Sequence, residues 1–286
     1  MTDLLTEQAP AKINLTLRVI GRRADGYHAL ESLVVFADFA DTLSLTPAEH
    51  VALEISGPYA AACGADENNL VLKAHAALRA HVPGLAAGRF HLVKNLPVAA
   101  GIGGGSADAA AALRLLARQN AIALDDARLI AAARAVGADV PVCLDPRPRI
   151  MRGVGELLSV PLALPALPAV VVNPGVPVAT REVFARFTGM TGSAKPLGEV
   201  PDKRDALMAF LAGHGNDLTE PAILCAPVIA EVLGGLRALA GVQLARMSGS
   251  GATCFALFGS AGEAAAAAQD LASARKEWWV RAVTLG

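Results

Sequence analysis

Four glycines and a serine stand directly before an alanine- and leucine-rich run, in the stretch Gly101-Ile-Gly103-Gly104-Gly105-Ser106. The run that follows contains no helix breaker until about Asn120, which predicts a helix over about 106–119. A glycine loop that opens onto a helix leaves backbone N–H groups without acceptors, and the helix dipole adds partial positive charge there. Glycine lets a phosphate approach the backbone closely. The stretch therefore predicts a phosphate-binding loop.

The known phosphate loops differ in their flanking residues. A Walker loop requires Gly-Lys-Ser/Thr at its end, and no lysine follows Gly105. A dinucleotide fingerprint has a different glycine spacing and expects a strand directly before the glycines, where this chain has Pro97. The remaining alternative is a flexible glycine turn that only starts a helix. Four glycines in five positions would weaken such a turn without compensation, so phosphate binding is favoured.

Two charged residues could take part in acid–base or electrostatic chemistry. Lys12 and Asn14 alternate with apolar residues, which places both on one face of a predicted strand over 11–20. A lysine there is either solvated at a sheet edge or directed at an anion. Asp139 lies between small and apolar residues just after a predicted helix end. It either caps a turn or acts as the base for a hydroxyl group.

Two predicted turns carry further candidates. Tyr27 and His28 follow Asp25-Gly26, which places an aromatic ring and an imidazole on a turn. The turn is either a surface turn with the tyrosine packed on its own domain or a place where the two rings contact a ligand. Ser248-Gly249-Ser250-Gly251 forms a second glycine-rich turn. It is either a hairpin loop or a second backbone cradle that closes over a phosphorylated ligand.

The elements that must position these residues follow from periodicity and from turn signals. The predicted strands span 11–20, 30–39, 41–45, 51–55, 90–93, 169–173, 242–247, 253–258 and 278–284. The predicted helices span 69–80, 106–119, 126–136, 180–187, 203–213, 227–240 and 262–274. Antiparallel strands with segregated helices predict an α+β protein, with one domain over 1–155 and a second over 156–286.

Composition excludes several classes of protein. Net charge is −1 over 286 residues, and no block of like charge supports nucleic acid or an anionic membrane as a partner. The four cysteines form no C-x-x-C pair, which is typical of a reduced cytosolic protein without a disulfide frame or zinc site. The first residues lack a signal-peptide pattern, and prolines interrupt the longest apolar run, 157–172. We therefore expect a cytoplasmic protein.

The order of the motifs resembles that of the GHMP small-molecule kinases: a Pro-Ala-Lys-x-Asn-Leu strand, the glycine loop, and a late Gly-Ser-Gly-Ala-Thr turn. The stretches 21–28 and 136–141 are similar to members that phosphorylate a cytidine-diphosphate-linked polyol in the non-mevalonate route to isoprenoid precursors. The resemblance runs from about Pro10 to Phe258. It implies a two-domain fold, with an N-terminal mixed α/β nucleotide domain and a C-terminal ferredoxin-like α+β domain. ATP and substrate would meet between the domains.

The resemblance also implies roles for individual residues. Lys12 and Asp139 would be the catalytic pair, with Asp139 accepting the proton of the substrate hydroxyl and Lys12 orienting that hydroxyl. The implied ATP-binding residues are Asn69, Lys94, Pro97, Gly101, Gly103, Gly104, Gly105, Ser106 and Ala107. The implied substrate-binding residues are Asn14, Tyr27, His28, Thr180 and Phe184, with Tyr27 and Phe184 on opposite sides of the cytosine. Mg²⁺ is expected with ATP, and Ser106 is the candidate metal ligand.

The chain departs from the family pattern at two places. Ala107 stands where a second serine is frequent, and Ala99 and Ala100 stand where glycines often precede the loop. The alternatives within the family are a kinase for a sugar, a mevalonate derivative or homoserine, and Tyr27-His28 with Phe184 argues against them. A catalytically silent sensor on the same fold is a further alternative, against which Lys12 and Asp139 both argue. We expect a monomer or a weak homodimer.

Overall fold

A computed structural model describes residues 4–24, 26–189 and 196–286, which leaves Asp25 of the predicted turn outside the described residues. The chain forms two compact units. The first comprises Met1–Lys12, Phe39–Val98 and Gly103–Pro146, and the second comprises Ile13–Asp38, Ala99–Ile102 and Arg147–Gly286. Each unit takes segments from separate parts of the sequence. The predicted boundary between an N-terminal domain over 1–155 and a C-terminal domain over 156–286 stays a prediction.

The strands of the described residues, in chain order, are β1 (Leu5–Asn14), β2 (Arg18–Arg22), β3 (His28–Pro47), β4 (Ala52–Ser56), β5 (Gly88–Val93), β6 (Arg149–Gly153), β7 (Leu157–Leu158), β8 (Leu167–Asn173), β9 (Val242–Met247), β10 (Cys254–Phe258) and β11 (Trp279–Leu285). The helices are α1 (Leu70–His81), α2 (Gly104–Gln119), α3 (Ala127–Val136), α4 (Val140–Leu144), α5 (Thr180–Arg186), α6 (Arg204–Ala212), α7 (Thr219–Cys225), α8 (Val228–Arg237) and α9 (Ala261–Ala274), with a 3₁₀ turn at Ala60–Ala62.

The first unit packs α2 at its centre. This helix is almost entirely buried from Ala107 to Ala117, because its run of alanines allows neighbouring helices to approach closely. It contacts α1, α3 and α4. Thr42–Pro47 of β3 pairs antiparallel with β5, and β4 pairs parallel with β5. The helix thus has a fixed position, which determines where its N-terminal glycines lie.

The second unit is built on an antiparallel sheet in which β8 lies between β11 and β10, with β9 beyond β10. β8 is a nearly continuous apolar run, as expected for a strand in the middle of a sheet. Helix α8 places Ile229, Val232 and Leu236 in the core at helical spacing. Helices and mainly antiparallel strands confirm the predicted α+β class.

Several local predictions differ from the structure. The predicted strand 11–20 is two strands, because the chain leaves β1 after Asn14 and Leu17 forms a bridge with Asn216. The predicted strands 30–39 and 41–45 are one strand, β3. The short elements α4, α7, β6 and β7 were not predicted, since a few residues give little periodicity to detect.

Candidate active site

The phosphate loop enters α2 through glycines with left-handed backbone conformation. Gly101 has φ +74° and Gly103 has φ +65°. Gly103 is the N-cap of α2, which begins two residues earlier than predicted, and its carbonyl accepts from Ala107 N at 2.8 Å. The N–H groups of the first turn precede this bond and have no acceptor within the helix. Free N–H groups and the helix dipole are the features that favour an anion at a helix start, and phosphate binding by this loop stays a prediction.

Lys12 and Asp139 form an ion pair in the first unit. The Lys12 Nζ and Asp139 Oδ2 atoms are 2.9 Å apart, and the side chains are 4% and 35% exposed. Lys12 is held by β1, a strand buried from Ala11 to Asn14. The pair thus combines a buried cation with a carboxylate that solvent and ligands reach.

Asp139 does not cap the helix that it precedes. It occupies the N-cap position of α4, yet its side chain accepts no capping hydrogen bond. Asp126 shows the contrast, since its carboxylate caps α3 by accepting from Arg128 N at 2.8 Å. The turn-capping alternative therefore does not describe Asp139, whose carboxylate is directed at Lys12 instead.

The lysine side chain also packs against the phosphate loop. A Cβ atom added to Gly103 would lie 3.2 Å from Lys12 Cβ and 3.4 Å from Lys12 Cε. Glycine is therefore favoured here by the close approach of Lys12 as well as by its positive φ. The arrangement places a lysine stem beside the helix terminus that would hold an anion.

Lys94 forms a buried cluster with two carboxylates that sequence reasoning missed. Its Nζ lies 2.5 Å from Asp41 Oδ2 and 2.6 Å from Asp108 Oδ2, and all three side chains are buried. Asp41 Oδ1 also accepts from the backbone N–H groups of Asn95 and Leu96. The ammonium of Lys94 is thus engaged inside the protein, and its predicted contact with ATP stays a prediction.

This cluster lies next to Gly104, the first residue of α2. A Cβ on Gly104 would be 3.3 Å from Lys94 Nζ. Burial raises the pKa of Asp108 to about 7, against the stabilising charge of Lys94. Burial also acts to lower the pKa of Lys94, but the two carboxylates outweigh it and raise that pKa. One signal for Asp108 was its position as a lone carboxylate in an alanine run.

The other predicted ATP-binding residues have mainly structural contacts. Asn69 caps α1 by accepting from Val71 N at 2.9 Å, and its amide donates to Gly64 O at 2.7 Å. Pro97 and Ala107 are buried, whereas Ser106 is partly exposed in the first turn of α2. Ser106 is therefore the side chain of the loop that can reach a ligand.

The predicted substrate residues His28 and Phe184 belong to an aromatic group in the second unit. The rings of His28 and Phe184 stack with centroids 5.0 Å apart at an angle of 19°, and Phe187 meets His28 edge-on at 6.1 Å. Burial and then Arg22 lower the pKa of His28. Tyr27 is 67% exposed beside this group. Phe187 was missed, and its position in the predicted helix 180–187 was the available signal.

Asn14 and Thr180 are held by the serines of the second glycine turn. Asn14 N donates to Ser248 Oγ at 3.0 Å, and Thr180 Oγ1 shares a hydrogen bond with Ser250 Oγ at 2.8 Å. The Asn14 amide donates to Ser32 Oγ at 2.7 Å, whereas its Oδ1 is buried without a partner among the described residues. A buried acceptor without a partner is unusual, and it is a reason to keep Asn14 as a candidate substrate residue.

The second glycine turn also packs against the start of the phosphate loop. A Cβ on Gly101 would lie 2.2 Å from Gly251 O, so glycine is required for this approach. Ala100 O accepts from both the N–H and the hydroxyl of Thr253. Asn216, which sequence reasoning missed, donates to Met247 O and Gly249 O, each at 2.8 Å. The turn therefore fixes residues 99–102, and whether it also binds a phosphorylated ligand stays a prediction.

Two classes of feature are absent from the part of the chain that the structure describes. No three His, Cys, Asp or Glu side chains gather in the geometry of a metal site. None of the described helices is both long enough and apolar enough to cross a bilayer.

The chain is similar to known proteins over its whole length. The family described as GHMP kinases N terminal domain matches residues 69–145, and GHMP kinases C terminal matches residues 203–276. A relative from Methylorubrum extorquens, named 4-diphosphocytidyl-2-C-methyl-D-erythritol kinase, is 56% identical over 289 residues that cover 99% of each chain.

Two solved structures are similar to the chain over nearly its full length. A crystal structure of 4-(cytidine 5'-diphospho)-2C-methyl-D-erythritol kinase superposes with a TM-score of 0.77 at 38% identity, covering 99% of both chains. Homoserine kinase from Cytophaga hutchinsonii superposes with a TM-score of 0.75 at 19% identity, covering 99% of this chain and 96% of that one. The second likeness shows the fold alone.

Proposed function

The chain belongs to the GHMP kinases and, within them, to the family of 4-diphosphocytidyl-2-C-methyl-D-erythritol kinases, and from this premise we propose its reaction and the residues that perform it. The protein transfers the γ-phosphoryl group of ATP to the 2-hydroxyl of 4-diphosphocytidyl-2-C-methyl-D-erythritol, in the non-mevalonate route to isoprenoid precursors. The observation that carries the proposal for the site is the Lys12–Asp139 ion pair, with the lysine packed against Gly103 of the loop. The predicted two-domain GHMP kinase fold is confirmed by the same family membership.

Phosphoryl transfer depends on positioning and on charge stabilisation more than on covalent help from the protein. Asp139 accepts the proton as the substrate oxygen forms its bond to the γ-phosphorus, and the bond from that phosphorus to the bridging oxygen breaks to release ADP. Lys12 holds the Asp139 carboxylate in place and stabilises the negative charge on the transferring group. The first-turn N–H groups of α2 hold the phosphates of ATP.

Mg²⁺ is the metal that we propose to accompany ATP. Magnesium in such sites is bound largely by phosphate oxygens and water, with one or two protein oxygens. The partly exposed Ser106 hydroxyl fits this requirement, because it is a hard oxygen at the helix terminus that would hold the phosphates. When bound, the metal neutralises phosphate charge; the protein residues supply orientation and the proton acceptor.

The cytidyl group is proposed to bind in the second unit. Stacking a base on an aromatic side chain is worth about 1–3 kcal/mol and suits any base. We propose that cytosine lies between Tyr27, which is exposed, and Phe184, whose ring also stacks on His28. The buried Oδ1 of Asn14 and the hydroxyl of Thr180 are the polar groups that we propose for the remainder of the substrate.

The experiment that tests this function is a panel of acceptors with γ-labelled ATP. The panel contains the cytidine-diphosphate-linked methylerythritol, the same polyol without the cytidyl group, homoserine, mevalonate and galactose. We expect efficient transfer to the cytidyl acceptor alone. Equal or better transfer to homoserine, mevalonate or a sugar would overturn the assignment of the substrate.

A further inference from the structure

Arg114 is a buried arginine whose guanidinium contacts residues of two other elements. It lies on α2, and its side chain is only 8% exposed. Its Nε donates to Glu7 Oε2 at 2.9 Å, its Nη1 to Cys143 O at 2.7 Å, and its Nη2 to Gln8 O at 2.5 Å. A guanidinium presents its donors in a rigid planar fork, so these contacts fix the partners relative to one another.

The partners belong to the elements that hold the proposed catalytic pair. Glu7 and Gln8 lie on β1, the strand that carries Lys12. Cys143 lies on α4 one helical turn after Asp139, which occupies the N-cap of that helix. One side chain from the phosphate-loop helix thus contacts both the strand of the lysine and the helix of the aspartate.

Helix α4 depends on such external contacts for its position. It has five residues, too few for a helix to be stable by its own hydrogen bonds. Its last carbonyl oxygens receive no hydrogen bond from within the helix, and a cation at a helix C-terminus is favoured by the helix dipole. Arg114 satisfies one of these carbonyls at Cys143. Losing this contact would free the helix that places Asp139.

We propose that Arg114 is a positioning residue for phosphoryl transfer: it holds β1 and α4 against the phosphate-loop helix so that Lys12 and Asp139 keep their mutual geometry. The inference rests on the proposed function, because it acts through that pair. A misplacement of about 1 Å in a reacting group can cost about 10²-fold in rate. A smaller displacement after loss of Arg114 should therefore lower kcat about tenfold or more.

The test compares Arg114→Met with Arg118→Met. Arg118 is the matched control, since it also pairs with Glu7, at 2.9 Å, but it is 51% exposed and its described hydrogen bonds go to Thr6 and Glu7 of β1. We expect R114M to lose at least about tenfold in kcat, with the KM values for ATP and for the cytidyl substrate within about threefold of wild type. R118M should keep kcat within about twofold. R114K replaces the fork by a single ammonium and should therefore recover only part of the rate.

A double variant separates positioning from general destabilisation. If Arg114 acts through the Lys12–Asp139 pair, R114M should slow D139N by a clearly smaller factor than it slows the wild type, because the base that the pair positions is already lost. Thermal unfolding of each variant verifies folding, and R114K carries the comparison if R114M does not fold. Wild-type kcat in a folded R114M or R114K, or losses that multiply in the double variant, would overturn the inference. Rapid turnover by D139N itself would instead overturn the proposed function.

Discussion

Substitution of Gly103 by alanine would test whether the phosphate loop sets the position of Lys12. The new Cβ would lie 3.2 Å from Lys12 Cβ and 3.4 Å from Lys12 Cε. Carbon atoms are in favourable contact at about 3.5–4.0 Å, so the lysine has to move by a few tenths of an ångström. Because Lys12 is itself buried and paired with Asp139, this movement is transmitted to the ion pair.

The size of the effect follows from two contributions. A left-handed backbone at φ +65° costs an alanine about 1–2 kcal/mol of folding stability. If 1 Å of misplacement costs about 10²-fold in rate, a shift of a few tenths lowers kcat by about three- to tenfold. The stability loss and the rate loss are therefore separate quantities with separate causes.

Gly84→Ala provides the control for backbone strain. Gly84 is in the same unit at φ +76°, and a Cβ there would meet nothing within 4 Å. Both variants should lose similar stability in urea unfolding, whereas only Gly103→Ala should lose kcat in an ADP-release assay with both substrates saturating. An unchanged kcat in Gly103→Ala, or an equal kcat loss in Gly84→Ala, would refute the reasoning.

Three further predictions follow from other contacts. Gly104→Val adds bulk at the first-turn N–H groups, with its Cβ atom 3.3 Å from Lys94 Nζ, and should raise the KM for ATP sharply. Unchanged ATP affinity in a folded variant would mean that the nucleotide binds elsewhere. Phe184→Ala removes the ring stacked on His28 and should weaken the cytidyl substrate by about 10- to 100-fold, at 1.4 kcal/mol per decade, with ATP affinity unchanged in a paired titration. A joint loss of both affinities would mean that Phe184 supports only the core. Burial raises the pKa of Asp108 from an ordinary 3.8 to about 7 in the folded protein. Between these pH values the folded state retains a proton that the unfolded state releases. The free energy of unfolding therefore falls as the pH rises, by at most about 1.4 kcal/mol per pH unit. Asp108→Asn should flatten this slope in urea unfolding at a series of pH values, and an unaltered slope would assign the proton to another group.

Helices with strong local signals were predictable from the sequence. The predicted helix 69–80 corresponds to α1, where Asn69 is the capping residue, and the predicted helix 262–274 corresponds to α9, which Ser260 caps with Glu263 in a capping box. Such signals lie within a few residues of the element that they start. Strand limits were less predictable, because the break after Asn14 depends on a bridge between Leu17 and the distant Asn216.

The site residues also divide into those with local signals in the sequence and those that depend on distant partners. The glycine loop at the start of a helix was predictable because its glycines are close together in sequence, and its binding of phosphate stays a prediction. Spacing alone gave no reason to pair Lys12 with Asp139, and the resemblance to the kinase family supplied that expectation. Asp41 and Asp108 were missed because a single carboxylate in a strand or an alanine run does not reveal its partner. Only the folded chain brings both to Lys94.

The central claim is that Asp139 is the proton acceptor of a kinase, and its replacement by asparagine tests this most directly. The measurement is single-turnover phosphoryl transfer together with ATP titration for Asp139→Asn, with Asp126→Asn as the control for an aspartate that only caps a helix. Loss of a positioned base should lower the rate by on the order of 10²- to 10⁴-fold while ATP affinity is retained, and Asp126→Asn should keep the wild-type rate. A near-wild-type transfer rate in folded Asp139→Asn would contradict the account.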